Sequence, residues 1–207
     1  MPAPADGAPG IDMDDAKAKE LLARIARQDQ AAFETVYKAF SRRVYAYALN
    51  MLKDPTRAEE VLVDTMHDVW RSAARFRGDS LVSTWLIGIA RNKALLVYRG
   101  RRADELHDDI DDIAETHVDE SASDGFGELA AKQRREGVQT CLRKLSEEHR
   151  ECLHLVFFEG FSLADVAQVQ AVPENTVKTR LYHARLRIRN CLRLLMEREG
   201  ADTGANP

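Results

Sequence analysis

The sequence predicts an all-α protein: two small helical domains joined by a flexible acidic linker. Three observations carry this. Apolar residues recur at three- and four-residue steps in two separate blocks, the period of an amphipathic helix, and no stretch alternates as a half-buried strand does. Between the blocks lies a segment rich in Asp, Glu and Ser with few large apolar residues, which cannot build a core. Charge follows the same division. Residues 16–102 hold 17 basic against nine acidic side chains, residues 103–128 hold 11 acids and no Lys or Arg, and residues 129–198 hold 13 bases against eight acids. The whole-chain net charge of −4 therefore conceals two basic blocks around an acidic one, and such asymmetry suggests a nucleic-acid partner.

At 207 residues and 44% hydrophobic, the chain has room for two small cores and is not globally disordered. Residues 1–15, rich in Pro, Ala, Gly and Asp, read as a disordered tail, as do residues 199–207. In the first domain (16–102), Leu21, Leu22 and Ile25 begin the helical pattern. Phe33, Val36, Tyr37, Phe40, Val44 and Tyr47 continue it. Asp54-Pro55 breaks the chain, with Asp54 or Thr56 placed to cap the next helix, which carries Val61, Leu62, Met66, Val69 and Trp70. Phe76-Arg-Gly-Asp-Ser80 reads as a loop. A third helix holds Trp85, Leu86, Ile89 and Ala90 and is expected to end near Gly100, among Arg99, Arg101 and Arg102.

In the second domain (129–198), Ser162-Leu-Ala-Asp165 resembles a capping box. A short helix runs from it to about Val169, Gln170-Ala-Val172 forms a turn, and Pro173 suits the start of the next helix. That helix places Val177, Leu181, Ala184 and Ile188 on one face and polar or basic residues on the other. Two helices joined by a short turn, the second amphipathic and basic, spell a helix-turn-helix.

Several groupings bear on function, each with a plainer alternative. Lys178, Thr179, Arg180, Tyr182 and His183 can reach base edges and phosphates, or form a solvated face. Phe76, Trp85 and Tyr98 interleave with Arg75, Arg77, Arg91, Lys93 and Arg99, which suits melted nucleic acid, although Trp85 also reads as core. Glu60, Asp64 and Asp68 share one helix face, with Glu59 beside them. Like charges so spaced destabilise a helix by about 0.2–0.5 kcal/mol per pair, which hints at a basic protein partner. Asp108, Asp109 and Asp112 match a DDxxD pattern for Mg²⁺ but sit in a segment without a core, so a solvated acidic run is preferred. His149, Cys152 and His154 are close in sequence, yet on one helix Cys152 and His154 point about 200° apart, so no metal site is expected. Cys141, Cys152 and Cys191 are an odd count without CxxC, which does not read as a disulfide framework. There is no run of 18 apolar residues for a membrane span and no secretory leader, so no membrane insertion and a cytoplasmic protein are expected. No nucleophile grouping, phosphate loop or buried carboxylate pair stands out, so no enzyme and no cofactor are expected.

Three motifs in order resemble the extracytoplasmic-function (ECF) sigma factors of bacterial RNA polymerase. Ala58-Glu-Glu-Val-Leu-Val-Asp-Thr-Met-His-Asp-Val-Trp70 is similar to the family's region 2.2. Thr84-Trp-Leu-Ile-Gly-Ile-Ala-Arg-Asn92 is similar to regions 2.3 and 2.4. Leu145 to Ser162 followed by Val172-Pro-Glu-Asn-Thr-Val-Lys-Thr-Arg-Leu-Tyr-His-Ala-Arg185 is similar to region 4. The resemblance implies that Glu59, Glu60, Leu62, Val63, Asp64, Met66, His67 and Asp68 dock on the clamp helices of the polymerase β′ subunit, with the β flap as a further contact. It implies that Arg75, Phe76, Arg77, Gly78, Asp79 and Ser80, with Trp85, Arg91, Asn92, Lys93, Arg99, Arg101 and Arg102, bind the minus-ten promoter element. A flipped base would then sit in a pocket formed by residues 76–83. Thr176, Lys178, Thr179, Tyr182 and His183 would read the minus-thirty-five element, with Arg180, Arg185 and Arg187 clamping its backbone. The acidic linker would thread through the polymerase cleft, and an anti-sigma factor would hold the free protein inactive. The sequence departs from the family at Leu96, where Asp is common, at Asn175 and Gln170-Ala171, where Gly is common, and at Asp64-Thr-Met, which lacks the usual Gln-Glu. A conventional helix-turn-helix regulator with an N-terminal sensing domain is the alternative.

Overall fold

The computed structural model describes residues 13–105 and 136–203, with side chains over 13–100 and 136–197. All regular structure among the described residues is helical, and the chain divides into two compact units. The first holds α1 (Asp15–Ile25), α2 (Gln30–Leu52), α3 (Pro55–Ser72), a short 3₁₀ turn (Ala73–Arg75) and α4 (Val82–Glu105). The second holds α5 (136–143), α6 (Glu147–Phe157), α7 (Leu163–Gln170) and α8 (Glu174–Thr203). The expected linker beyond residue 105, the triad Asp108, Asp109 and Asp112, and most of both expected tails lie outside the described residues.

In the first unit α2 is the central element, packed against α1, α3 and α4. Its start is fixed by Asp29, whose carboxylate accepts from the Ala32 amide at 3.0 Å and pairs with Arg24. Those two contacts, the amide first, hold the Asp29 carboxyl below the usual carboxylate range. Lys53, at φ 56°, ends α2, and Asp54 then caps α3 by accepting from the Arg57 amide at 3.1 Å, with Pro55 in the first turn. The core of the unit is Leu21, Leu22, Ile25, Val36, Val44, Tyr47, Val61, Met66, Val69, Leu86 and Ile87, all nearly inaccessible to solvent.

The expected end of the third helix near Gly100 is corrected: α4 continues through Gly100 to Glu105. A Cβ at Gly100 would meet nothing, and glycine costs only about 1 kcal/mol in a helix interior, too little to stop a helix with good formers on both sides. The end of α8 also extends past the expected boundary, to Thr203.

In the second unit α6 lies along α8. Cys152, Leu153 and Leu155 of α6 are buried, as are Val177, Leu181 and Ala184 of α8. The Ser162–Asp165 capping box forms as the sequence indicates. The Asp165 amide donates to Ser162 Oγ at 3.1 Å, and the Ser162 amide donates to Asp165 Oδ2 at 3.2 Å. The cysteine expectation is corrected in one respect: Cys141 of α5 and Cys191 of α8 are disulfide-bonded, while Cys152 is free and buried. The odd count hid a pair that two helices bring together across 50 residues of sequence.

Candidate nucleic-acid and partner interfaces

On α3 the residues of the first motif separate by helical phase. Glu59, Glu60, Val63, Asp64 and His67 are exposed, with Val63 an apolar spot 56% accessible among the acids. Leu62 and Met66, grouped with them in the sequence, face the opposite way and lie in the core, where their side chains back the surface instead of meeting a partner. Asp68 is half-buried, and its carboxylate takes Lys93 Nζ of α4 at 2.7 Å. That ion pair joins a residue expected on the polymerase-facing stripe to one expected on DNA.

The second surface is built by the loop after the 3₁₀ turn and by the outer face of α4. Phe76 is half-buried, with its ring 5.3 Å from that of Trp85. Trp85 is also half-buried, so it is neither pure core nor a free stacking platform. Arg75, Arg77, Gly78 and Asp79 are exposed, and Gly78 adopts φ +81°. Ser80 is half-buried and its hydroxyl donates to the Leu81 carbonyl at 3.2 Å. Along α4, Trp85, Asn92, Leu96 and Arg99 fall on one stripe by their spacing of seven, four and three residues. Arg91 and Lys93 flank that stripe on opposite sides. Leu96 is 66% accessible, so the position where the family commonly has Asp presents an apolar side chain on this surface. Arg101 and Arg102 lie on α4, with their side chains outside the described residues.

Two residues that the sequence reading missed support this loop. Asp15 Oδ1 accepts from the Val82 amide at 2.7 Å, and Lys19 Nζ donates to the Gly78 carbonyl at 3.3 Å. Neither contact has a local sequence signal, because α1 lies some 60 residues away in the chain.

The third surface is the helix-turn-helix. Lys178, Thr179, Tyr182, His183, Arg185 and Arg187 are exposed on α8, and Thr176 and Arg180 are half-buried. Lys178 pairs with Glu174 one turn back at 2.9 Å, and the Thr179 hydroxyl donates to the Asn175 carbonyl at 2.9 Å. The Tyr182 ring, 64% accessible, stands edge-on to His183 at 5.4 Å. Arg185 caps the Phe157 ring at 5.5 Å. The face reaches beyond α8, since His149 of α6 lies 6.4 Å from His183, with its Nδ1 2.7 Å from the Ser146 hydroxyl. Burial pushes the His149 imidazole below its usual value, and Arg187, His183 and Arg180 push the same way against the opposing Glu148. The Glu148 carboxyl is held low, first by its own backbone amide, then by Ser146 and Arg180. Among the described residues, no group of three or more His, Cys, Asp or Glu side chains is placed to hold a metal. Nor is any helix there long and apolar enough to cross a membrane.

Residues 36–103 match the family model for sigma-70 region 2, and residues 135–188 match that for sigma-70, region 4. The chain is 33% identical over 176 residues to the ECF RNA polymerase sigma factor SigK of Mycobacterium tuberculosis, covering 83% of this chain and 91% of that one. It is 31% identical over 183 residues to the RNA polymerase sigma-H factor of Pseudomonas aeruginosa, covering 86% and 95%. Among solved structures, CnrH in complex with the cytosolic domain of CnrY superposes with a TM-score of 0.62 at 25% identity, over 86% of this chain and 98% of that one. The sigma factor RpoE of Bartonella quintana, solved with the anti-sigma factor NepR, shares the fold with a TM-score of 0.63 at 23% identity, over 78% and 96%. With both sigma-70 regions matched in order and relatives this similar over most of their length, the chain belongs to the ECF sigma factors of bacterial RNA polymerase.

Proposed function

We propose that this chain directs core RNA polymerase to a set of promoters and helps to melt them, acting as a subunit and not as a catalyst. The observation that carries the reading is the division of charge and chemistry over three surfaces. Glu59, Glu60, Asp64 and His67, with Val63, offer an acidic and apolar stripe for the clamp helices of β′. The loop after Arg75 and the Trp85–Asn92–Leu96–Arg99 stripe suit an opened strand, where an unstacked base needs an aromatic wall and nearby cations hold the phosphates. Lys178, Thr179, Tyr182 and His183 suit a major groove at the minus-thirty-five element, with Arg180 and Arg187 toward the backbone. Residues 16–102 and 129–198 are the working domains in this reading, and 103–128 is the acidic connection between them. The β flap, an anti-sigma factor that covers the polymerase-binding faces, and a cytoplasmic site of action complete the proposal.

A helix-turn-helix regulator with an N-terminal sensing domain is set aside by the match of residues 36–103 to sigma-70 region 2. The test is transcription in vitro with purified core polymerase on fragmented genomic DNA. Addition of the chain is expected to produce new, discrete start sites. Tight duplex binding by the chain alone, with no start sites when core is added, overturns the reading.

A further inference from the structure

We propose that Asp15 and Lys19 of α1 are positioning residues for the promoter-reading loop, setting its base preference without touching DNA themselves. The inference rests on the reading of residues 76–83 as the loop that takes a base of the minus-ten element.

The argument starts from the beginning of α4. A helix leaves its first amides without partners, and Ser, Thr, Asp or Asn at the preceding position is the usual remedy. Here that position is Leu81, which has no acceptor, and the Ser80 hydroxyl is turned to the Leu81 carbonyl as a donor. The missing acceptor comes from 67 residues upstream, as Asp15 Oδ1, 2.7 Å from the Val82 amide. The other carboxylate oxygen of Asp15 lies 3.0 Å from Lys19 Nζ, and the same ammonium donates to the Gly78 carbonyl. One ion pair therefore ties the loop at two points, its left-handed apex at Gly78 and its exit at Val82.

The tie is anchored, because Ala18, Leu21, Leu22 and Ile25 of the same helix are buried in the bundle. Its acceptor and its donor on the loop side, the Gly78 carbonyl and the Val82 amide, are both backbone groups, so it fixes the loop's path whatever side chains the loop carries. Phe76 against Trp85 fixes the entry. Arg77 and Asp79 are left exposed between these supports, where a held backbone gives them a single arrangement toward a base. Without the tie they would sample several arrangements, and discrimination between bases would fall.

The experiment is transcription by purified core polymerase with the full chain on a promoter library randomised only across the minus-ten element. The variants are Asp15→Ala, Asp15→Asn, Lys19→Met and the loop variants Arg77→Ala and Asp79→Ala. Asp15→Ala is expected to flatten the base preference, by up to about fivefold if the whole of a typical helix-cap contribution goes into holding the loop, at the same positions that the loop variants affect. Asp15→Asn keeps an acceptor for the Val82 amide and is expected to retain most of the preference. Lys19→Met, which removes the tie to Gly78 and the ion pair with Asp15 but leaves the Asp15 acceptor for the Val82 amide, is expected to give a partial loss and stands in if Asp15→Ala does not fold. A preference unchanged in Asp15→Ala and Lys19→Met, or activity reduced equally on all promoters, overturns the positioning role while loop variants that still shift the preference leave the promoter reading intact. If the loop variants shift nothing, the promoter reading of the loop fails and the positioning role fails with it.

Discussion

Reversing the acidic stripe of α3 by Glu60→Lys with Asp64→Lys separates a docking role from a folding role, because only the first predicts a loss. Both side chains are exposed and lie one turn apart, with Asp68 one turn further on. An exposed ion pair contributes about 0.2–1 kcal/mol. Reversal removes two attractions to a basic partner and introduces two repulsions, so core polymerase affinity is expected to fall by ~1–3 kcal/mol, or about 5- to 150-fold. Inside the helix the changes offset. The Asp64–Asp68 repulsion becomes an attraction, while Arg57 and Glu60, three residues apart, turn from attraction to repulsion, each a change of roughly 0.4–1 kcal/mol. The melting temperature is thus expected to stay level while affinity falls. A titration of labelled chain with core polymerase at two ionic strengths, alongside thermal unfolding, measures both, and the affinity deficit is expected to shrink at high salt. An unchanged Kd refutes the docking role. A melting temperature that drops together with affinity refutes the account of the stripe as a strained, exposed face.

Three further outcomes follow from the second unit. Ala171 sits at φ 52° at the end of α7, so Ala171→Gly is expected to stabilise the protein by about 0.5–1 kcal/mol after the added chain entropy is subtracted; an unfolding midpoint that falls in denaturant would contradict this. The Cys141–Cys191 bridge spans 50 residues, so replacing both by Ser is expected to cost roughly 4 kcal/mol, and equal midpoints with and without reductant would show that it constrains nothing. The folded state lowers the His149 value, so the unfolded chain binds the proton more readily; stability is therefore full above the unfolded value of about 6.5 and is lost as pH falls from there through the lower folded value. His149→Gln is expected to flatten the pH dependence of the melting temperature over this window, and parallel curves for the two proteins would remove His149 as the cause.

The helices and caps were legible because their signals are local. Apolar steps of three and four residues place the helical runs of the first unit, Asp54 announces α3, and Ser162 with Asp165 announces α7, whereas the break between α1 and α2, with Gln28 at φ 66° and Asp29 as cap, reads in the sequence as one continuous pattern. What was not legible depends on residues far apart in the chain. The cap of α4 comes from Asp15, and the disulfide joins α5 to α8. Phase within α3 was legible from spacing, but the resemblance groups 59–68 as one docking block, and α3 turns Leu62 and Met66 of that block inward and Glu60 and Asp64 outward.

The turns show a subtler limit. The chain ends α6 and α7 with related devices, a left-handed residue followed by an amide that reaches back into the helix, by six residues after α6 and by five after α7. After α6 the left-handed residue is Gly160, and the Phe161 amide donates to the Leu155 carbonyl at 3.0 Å. After α7 it is Ala171, and the Val172 amide reaches the Ala167 carbonyl at 3.1 Å. Alanine carries a steric cost there that glycine does not. The helix-turn-helix holds because Ser162 and Asp165 fix one end of α7, while Val166 and Val177 bury the apolar sides of α7 and α8. The same logic applies at the meeting of the two charged surfaces of the first unit. Asp68 and Lys93 neutralise one another where the acidic face of α3 adjoins the basic face of α4.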